Sequence, residues 1–157
     1  MACDPHGLVG NSKLNHLPWS YPEDTAFYQK LVEYQPLIMG YDTFCKIPGK
    51  LLKENTIAVI SAHHKTPSDK YHFYSSIESF LNSELYHKTP VFYHLGGAQT
   101  MNQFLEKNLI DEFYLTKFKK VYVGDRFINH QLIEKFSGTC LRDNDALNIT
   151  HYFLKNK

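Results

Sequence analysis

Pro90-Val91-Phe92-Tyr93-His94-Leu95-Gly96-Gly97-Ala98-Gln99-Thr100 reads as an apolar strand that stops at two glycines and delivers the chain into a helix. Strand, glycine and helix start together let a backbone approach a phosphate and offer it unpaired N–H groups, although Gly-Gly also makes ordinary turns. The stretch is not the Gly-x-Gly-x-x-Gly dinucleotide fingerprint, so the usual Rossmann reading does not apply. Pro36-Leu37-Ile38-Met39-Gly40-Tyr41-Asp42-Thr43-Phe44 repeats the pattern, with Asp42 and Thr43 as cap-type residues. Alone it is a capped helix. Two such junctions in one small domain suit the two ends of a dinucleotide.

Outward from these junctions, Thr56-Ile57-Ala58-Val59-Ile60 ends at Ser61 and forms another apolar run, and Glu112 to Thr116 is a further strand candidate. Continuous runs of this length, closed by Gly or Ser, suit strands buried on both faces. Helices are expected over Glu23 to Tyr34, Ser76 to Leu85 and Ala98 to Lys107; in the last, Met101, Phe104 and Leu105 keep i, i+3, i+4 spacing. Gly138 to Leu141 and Asn148 to Leu154 read as a closing antiparallel hairpin. Strand–helix alternation followed by late strands gives an α/β class, mostly parallel, with an antiparallel C-terminal edge hairpin. A length of 157 residues without a linker predicts one domain over 1–157.

Composition removes several functions. Seventeen Lys+Arg against 16 Asp+Glu, with scattered signs, argues against a nucleic-acid footprint. No apolar run reaches the roughly 18 residues of a membrane span, and Met1-Ala2-Cys3-Asp4-Pro5 has no secretory pattern. Cys3, Cys45 and Cys140 match no zinc spacing and read as free thiols of a reducing, cytoplasmic compartment. The nine histidines show no H-x-x-x-H pair, so no metal is expected. Arginine occurs only as Arg126 and Arg142, so an anion site must lean on lysine, histidine or backbone N–H groups.

Leu17-Pro18-Trp19-Ser20-Tyr21-Pro22-Glu23-Asp24 leads into the first helix. Asp24, Phe27, Tyr28 and Leu31 share one helical face, and Glu23 points elsewhere. Asp24 either serves the helix dipole or is a carboxylate half-buried against aromatics and raised in pKa to manage a proton.

In order, Ala2-x-Asp4-x-x-Gly7-Leu8-Val9-Gly10, Leu17-Pro18-Trp19 with Asp24, Pro36 to Gly40 with Thr43-Phe44, Gly96-Gly97-Ala98 with Gln103-Phe104-Leu105, Asp111 to Thr116, and Gly124-Asp125-x-Phe127 resemble dihydrofolate reductase nearly end to end. The resemblance implies that family's three-layer fold, a monomer, NADPH as cofactor and dihydrofolate as substrate. It implies that Asp24 binds the pterin and promotes protonation of N5, that Thr116 bonds Asp24, and that Trp19 holds an ordered water. Thr25, Tyr28, Ile47 and Leu95 would line the folate cleft, and Lys53 would meet the folate tail, with Lys50 as the other candidate. Ala2 and Val9, beside Gly10, would receive the nicotinamide carboxamide. Met101 stands where a tyrosine usually neighbours the nicotinamide, and Leu17 would tip the closing loop. Gly40, Asp42 and Thr43, with Gly96, Gly97, Ala98, Gln99 and Thr100, would cradle the pyrophosphate, and a cis Gly96–Gly97 bond is expected. Ser61 would meet the adenosine end, with His63, His64 or Lys65 supplying charge.

Tyr41, Lys53 and Gln99 occupy positions where the family usually carries arginine. In the family an apolar strand also runs into the Ala2 position, and only Met1 precedes Ala2 here, so a late start or a truncation is expected. Two rival readings remain: a same-fold reductase acting on another pterin or a pyrimidine, and a decayed, non-catalytic domain.

Overall fold

The computed structural model describes residues 1–63 and 68–155. His64 and Lys65, expected near the adenosine end, lie outside the described residues. In chain order the elements are β1 (Ala2–Cys3), β2 (Leu8–Gly10), α1 (Pro22–Val32), β3 (Leu37–Gly40), α2 (Tyr41–Phe44), α3 (Gly49–Glu54), β4 (Ile57–Ile60), β5 (Tyr71–Tyr74), α4 (Ile77–Leu81), α5 (Glu84–Lys88), β6 (Tyr93–His94), α6 (Ala98–Glu106), β7 (Glu112–Phe118), β8 (Arg126–Phe127), a 3-10 turn (His130–Ile133), β9 (Phe136–Asp143) and β10 (Leu147–Leu154). They gather into two compact units, residues 25–100 and residues 1–24 with 101–157. No helix among the described residues is long and apolar enough to cross a membrane.

In residues 25–100 the strands run parallel in the order β5-β4-β3-β6. Leu37, Ile38, Met39, Ile57, Ala58 and Val59 are each at most 1% exposed, as the unbroken apolar runs require of strands covered on both faces. α1 stops at Val32, short of the expected Tyr34. The buried Asn55 amide donates to Val32 O at 2.6 Å and Gln35 O at 2.7 Å, taking up carbonyls that the helix end leaves free, while Tyr34 turns to φ 60°.

The single helix expected over Ser76 to Leu85 is two. Ser76 caps α4 through a capping box with Ser79, and Ser83 breaks the run by accepting from Tyr86 N and donating to Phe80 O. The strand expected over Pro90 to Leu95 narrows to Tyr93–His94; Pro90, which has no N–H to donate, lies outside it. In α2, Gly40 is the N-cap and makes no side-chain cap bond, so Asp42 and Thr43 sit inside the first turn rather than capping it.

In residues 1–24 and 101–157 the order is β1-β7-β10-β9, with β1 parallel to β7 and β10 antiparallel to both neighbours. The hairpin is longer than its periodicity suggested and carries a bulge at Ile149/Thr150. Met101, Phe104 and Leu105 are buried as their spacing required. All three cysteines are free thiols, and burial pushes the Cys3 thiol up to about 11.

Asp4 is 1% exposed and accepts from His6 N at 2.8 Å, Leu8 N at 2.9 Å and Tyr122 N at 3.1 Å, joining the β1–β2 turn to the chain beyond β7. Burial pushes its carboxyl up, but the three backbone donors outweigh it and hold it below the usual carboxylate range. A depressed folded pKa stabilises fully above the unfolded value of about 3.9 and ceases to do so as pH falls through the folded value. Asp4→Asn is therefore expected to lower the melting temperature at about pH 7 and to approach the parent at a pH below the folded value, where the parent carboxyl also becomes neutral. A difference equally wide at both pH values would contradict this.

Candidate active site

Trp19 enters the unit that holds residues 1–24 as one of a set of aromatics. Its ring lies 5.1 Å from Phe118 and 5.4 Å from Tyr122, while Tyr21 stacks on Phe118 at 4.3 Å and shares a 2.8 Å hydroxyl–hydroxyl bond with Tyr122. That bond raises the Tyr21 phenol above its ordinary value. Trp19 is 8% exposed, and its Nε1 is buried without a hydrogen-bond partner among the described residues. A buried indole N–H without an acceptor is the donor that a bound water or ligand completes.

Five residues on, the first turn of α1 carries Glu23 and Asp24 side by side, and they differ as the helical spacing predicts. Glu23 takes the Arg142 guanidinium and the Asn144 amide, and Arg142 holds its carboxyl below the ordinary value. The Asp24 side chain is half-buried, and its carboxylate makes no hydrogen bond among the described residues. Thr116 lies beside Ala2 in the parallel β1–β7 register and is 3% exposed. The expected Thr116–Asp24 bond is not formed among the described residues.

Val9 is half-buried against the core of this unit, Met101 lies within that core, and Leu17 is 54% exposed in the loop before Trp19. That loop is tied down by Asp125, which the sequence marked only as part of the Gly124-Asp125-x-Phe127 motif: it accepts from Ser12 N at 2.7 Å and from the Ser12 hydroxyl. A Cβ on Gly124 would stand 2.4 Å from Gly10 O, so this crossing of two backbones requires glycine.

In residues 25–100 the two strand–glycine–helix junctions meet. Gly97, at φ 87°, is so close that a Cβ there would stand 3.0 Å from Thr100 Oγ1 and 3.3 Å from Thr43 Oγ1, and one on Gly40 would stand 3.2 Å from Thr100 Cγ2. Thr100 Oγ1 donates to Gly97 O at 3.1 Å and Gly96 O at 3.2 Å. Gly96, at φ 115°, has no atom within 4 Å of the place a Cβ would occupy. Bare backbone backed by two hydroxyls is a cradle that fits a pyrophosphate. Among the described residues no peptide bond is cis, so the expected cis Gly96–Gly97 bond is trans; the sharp turn comes from positive φ at both glycines instead.

His94, which the sequence did not single out, accepts from Gly96 N at 3.1 Å through Nδ1, and burial pushes it down to about 3, so the ring is neutral near pH 7. Ala98 and Gln99 follow in the first turn of α6. Ser61 is buried, and its N–H donates to Tyr74 O at 2.8 Å; His63 is exposed.

Tyr28, Ile47 and Leu95 pack partly buried against the Leu37–Met39 and Ile57–Val59 core, and Thr25 is exposed. Of the two candidate lysines, Lys50 is occupied by Glu33 at 2.8 Å and by Glu54 at 3.8 Å. Lys53 is exposed on α3, and its ammonium makes no ion pair among the described residues. No three His, Cys, Asp or Glu side chains among the described residues gather as metal ligands.

The family model for dihydrofolate reductase matches residues 1–154. The dihydrofolate reductase of Mycoplasma pneumoniae is 26% identical over 81% of this chain and 79% of its own length, and that of Bacillus subtilis is 28% identical over 88% and 82%. A solved dihydrofolate reductase from Enterococcus faecalis, complexed with NADP(H) and RAB-propyl, matches with a TM-score of 0.78 at 21% identity over 99% of this chain and 94% of that one, so the fold is shared.

Gly97→Ala would force a methyl group against the Thr43 and Thr100 hydroxyls at a φ that alanine disfavours. Fluorescence titration is expected to show NADPH affinity lowered about tenfold or more with the far-ultraviolet spectrum retained. Unchanged affinity would remove the cradle from the cofactor site.

Proposed function

The chain belongs to the dihydrofolate reductase family, and from that premise we propose that it reduces 7,8-dihydrofolate to tetrahydrofolate with NADPH, as a single-domain cytoplasmic monomer serving one-carbon metabolism. NADPH, when bound, supplies the hydride that reaches C6 of the pterin. The rest is assigned to this chain's own residues. Asp24 bonds the pterin N3 and 2-amino group and promotes protonation at N5. Trp19 Nε1 holds the water that its buried position calls for. Ala2 and Val9, with Gly10, receive the nicotinamide carboxamide, and the exposed Leu17 tips the loop that excludes water.

Gly40, Asp42, Thr43 and the run from Gly96 to Thr100 line the pyrophosphate, with the Gly96 N–H held by His94 and the Thr100 hydroxyl turned to the glycine carbonyls, and Ser61 meets the adenosine end. Thr25, Tyr28, Ile47 and Leu95 line the pterin side. Lys53 takes the tail carboxylate as a point charge, without the bidentate fork of an arginine.

One observation carries the assignment of the acid. Of two adjacent carboxylates, Glu23 is engaged by Arg142 and Asn144, and Asp24 is left half-buried without a hydrogen bond among the described residues. A carboxylate not already hydrogen-bonded to a structural partner is the one able to exchange a proton with a ligand.

Steady-state NADPH oxidation with dihydrofolate tests this. The parent should turn over, and Asp24→Asn should lose about a hundredfold or more in kcat. Parental activity in Asp24→Asn would refute the assignment. Turnover with other pterins or pyrimidines but not with dihydrofolate would refute the substrate.

A further inference from the structure

Glu23 has no place in the chemistry above, yet it is among the most closely held exposed carboxylates of its unit. Arg142, near the end of β9, places its guanidinium on Glu23 Oε1. Asn144, in the turn between β9 and β10, donates from Nδ2 to Glu23 Oε2 at 3.1 Å and to Oε1 at 3.4 Å. The Asn144 amide cannot rotate away without loss, because its Oδ1 accepts from Ala146 N at 2.9 Å and Leu147 N at 3.0 Å, and its own N–H donates to Leu147 O at 3.0 Å. The clamp therefore stands on a turn with its own hydrogen bonding, carried by two eight-residue strands.

Glu23 and Arg142 side chains are 34% and 55% exposed, and a pair so exposed adds little to global stability. What it does is tie the first turn of α1 to the β9–β10 hairpin, and Asp24 is the next residue of that turn. Tyr21, two residues before Glu23, is held independently through Tyr122 and Phe118. The segment between Trp19 and Asp24 is thus pinned at alternate residues, which leaves the second carboxylate set by its neighbours' bonds rather than by its own.

We propose that Arg142 and Asn144 are positioning residues for the reduction, acting on Asp24 through Glu23; this rests on the assignment of Asp24 made above. Arg142 contributes geometry and also neutralises the negative charge one residue away from Asp24. Neither residue touches the reacting atoms.

Single-turnover hydride transfer, measured alongside NADPH affinity and melting temperature, separates this role from a merely structural one. Arg142→Gln and Asn144→Ala should each slow the transfer about fivefold, with NADPH affinity held and melting shifted by only a few degrees. Arg142→Lys, which keeps the charge, should recover part of the rate. In an Asp24→Asn background, Arg142→Gln should cost nothing further, because its effect passes through the carboxylate that is gone. A full fivefold loss in that background, or parental rates in Arg142→Gln and Asn144→Ala while Asp24→Asn is slow, would overturn the inference alone. A parental rate in Asp24→Asn would overturn the assignment beneath it, and the inference with it.

Discussion

A strand paired on both sides has no free backbone groups along the paired length, and this constraint organises residues 25–100. β3 spends its N–H and C=O groups laterally on β4 and β6, and its side chains are sealed into the core. Only at the strand's end does the backbone come free to meet a ligand. Gly40 ends β3, Gly96 and Gly97 follow β6, and Ser61 follows β4, so the polar equipment gathers where the strands stop. The two threonines that back the glycines belong to the helices that follow, and their hydroxyls crowd the position a Cβ would take at Gly97.

Residues 1–24 with 101–157 solve a different problem, that of holding a loop and an acid without burying an uncompensated charge. Asp4 is the expensive case, a carboxylate almost wholly removed from water and satisfied by three backbone donors. Asp125 does the same at the surface for Ser12. Glu23 is satisfied by a cation and an amide from the terminal hairpin. Asp24 differs from all three in having no such bond among the described residues, and that difference, rather than its location in a loop–helix junction, singles it out.

Much of this was legible from periodicity. The stripe Asp24, Phe27, Tyr28, Leu31 is half-buried in the structure, and Met101, Phe104 and Leu105 are core, because helical spacing alone decides which face is apolar. The glycine junctions were legible because a break in an apolar run is a local signal. Long-range partners were not. Arg142 lies 119 residues from Glu23 and Asp125 lies 113 from Ser12, and nothing local marks either as the anchor of the other. β5 was missed because Tyr71-His72-Phe73-Tyr74 alternates too weakly in polarity to announce a strand, and α3 because Lys and Glu dominate a short helix. The split between α4 and α5 turned on one serine hydroxyl, and the cis bond expected at Gly96–Gly97 is replaced by two positive φ angles.

The central claim is that one carboxylate of the adjacent pair manages the proton. It is tested most directly by following single-turnover hydride transfer to dihydrofolate as a function of pH in the parent, Glu23→Gln and Asp24→Asn. If Asp24 carries that role, the rate falls with rising pH in the parent and in Glu23→Gln, and that dependence disappears in Asp24→Asn. A pH dependence that survives in Asp24→Asn, or that vanishes in Glu23→Gln, would contradict the account.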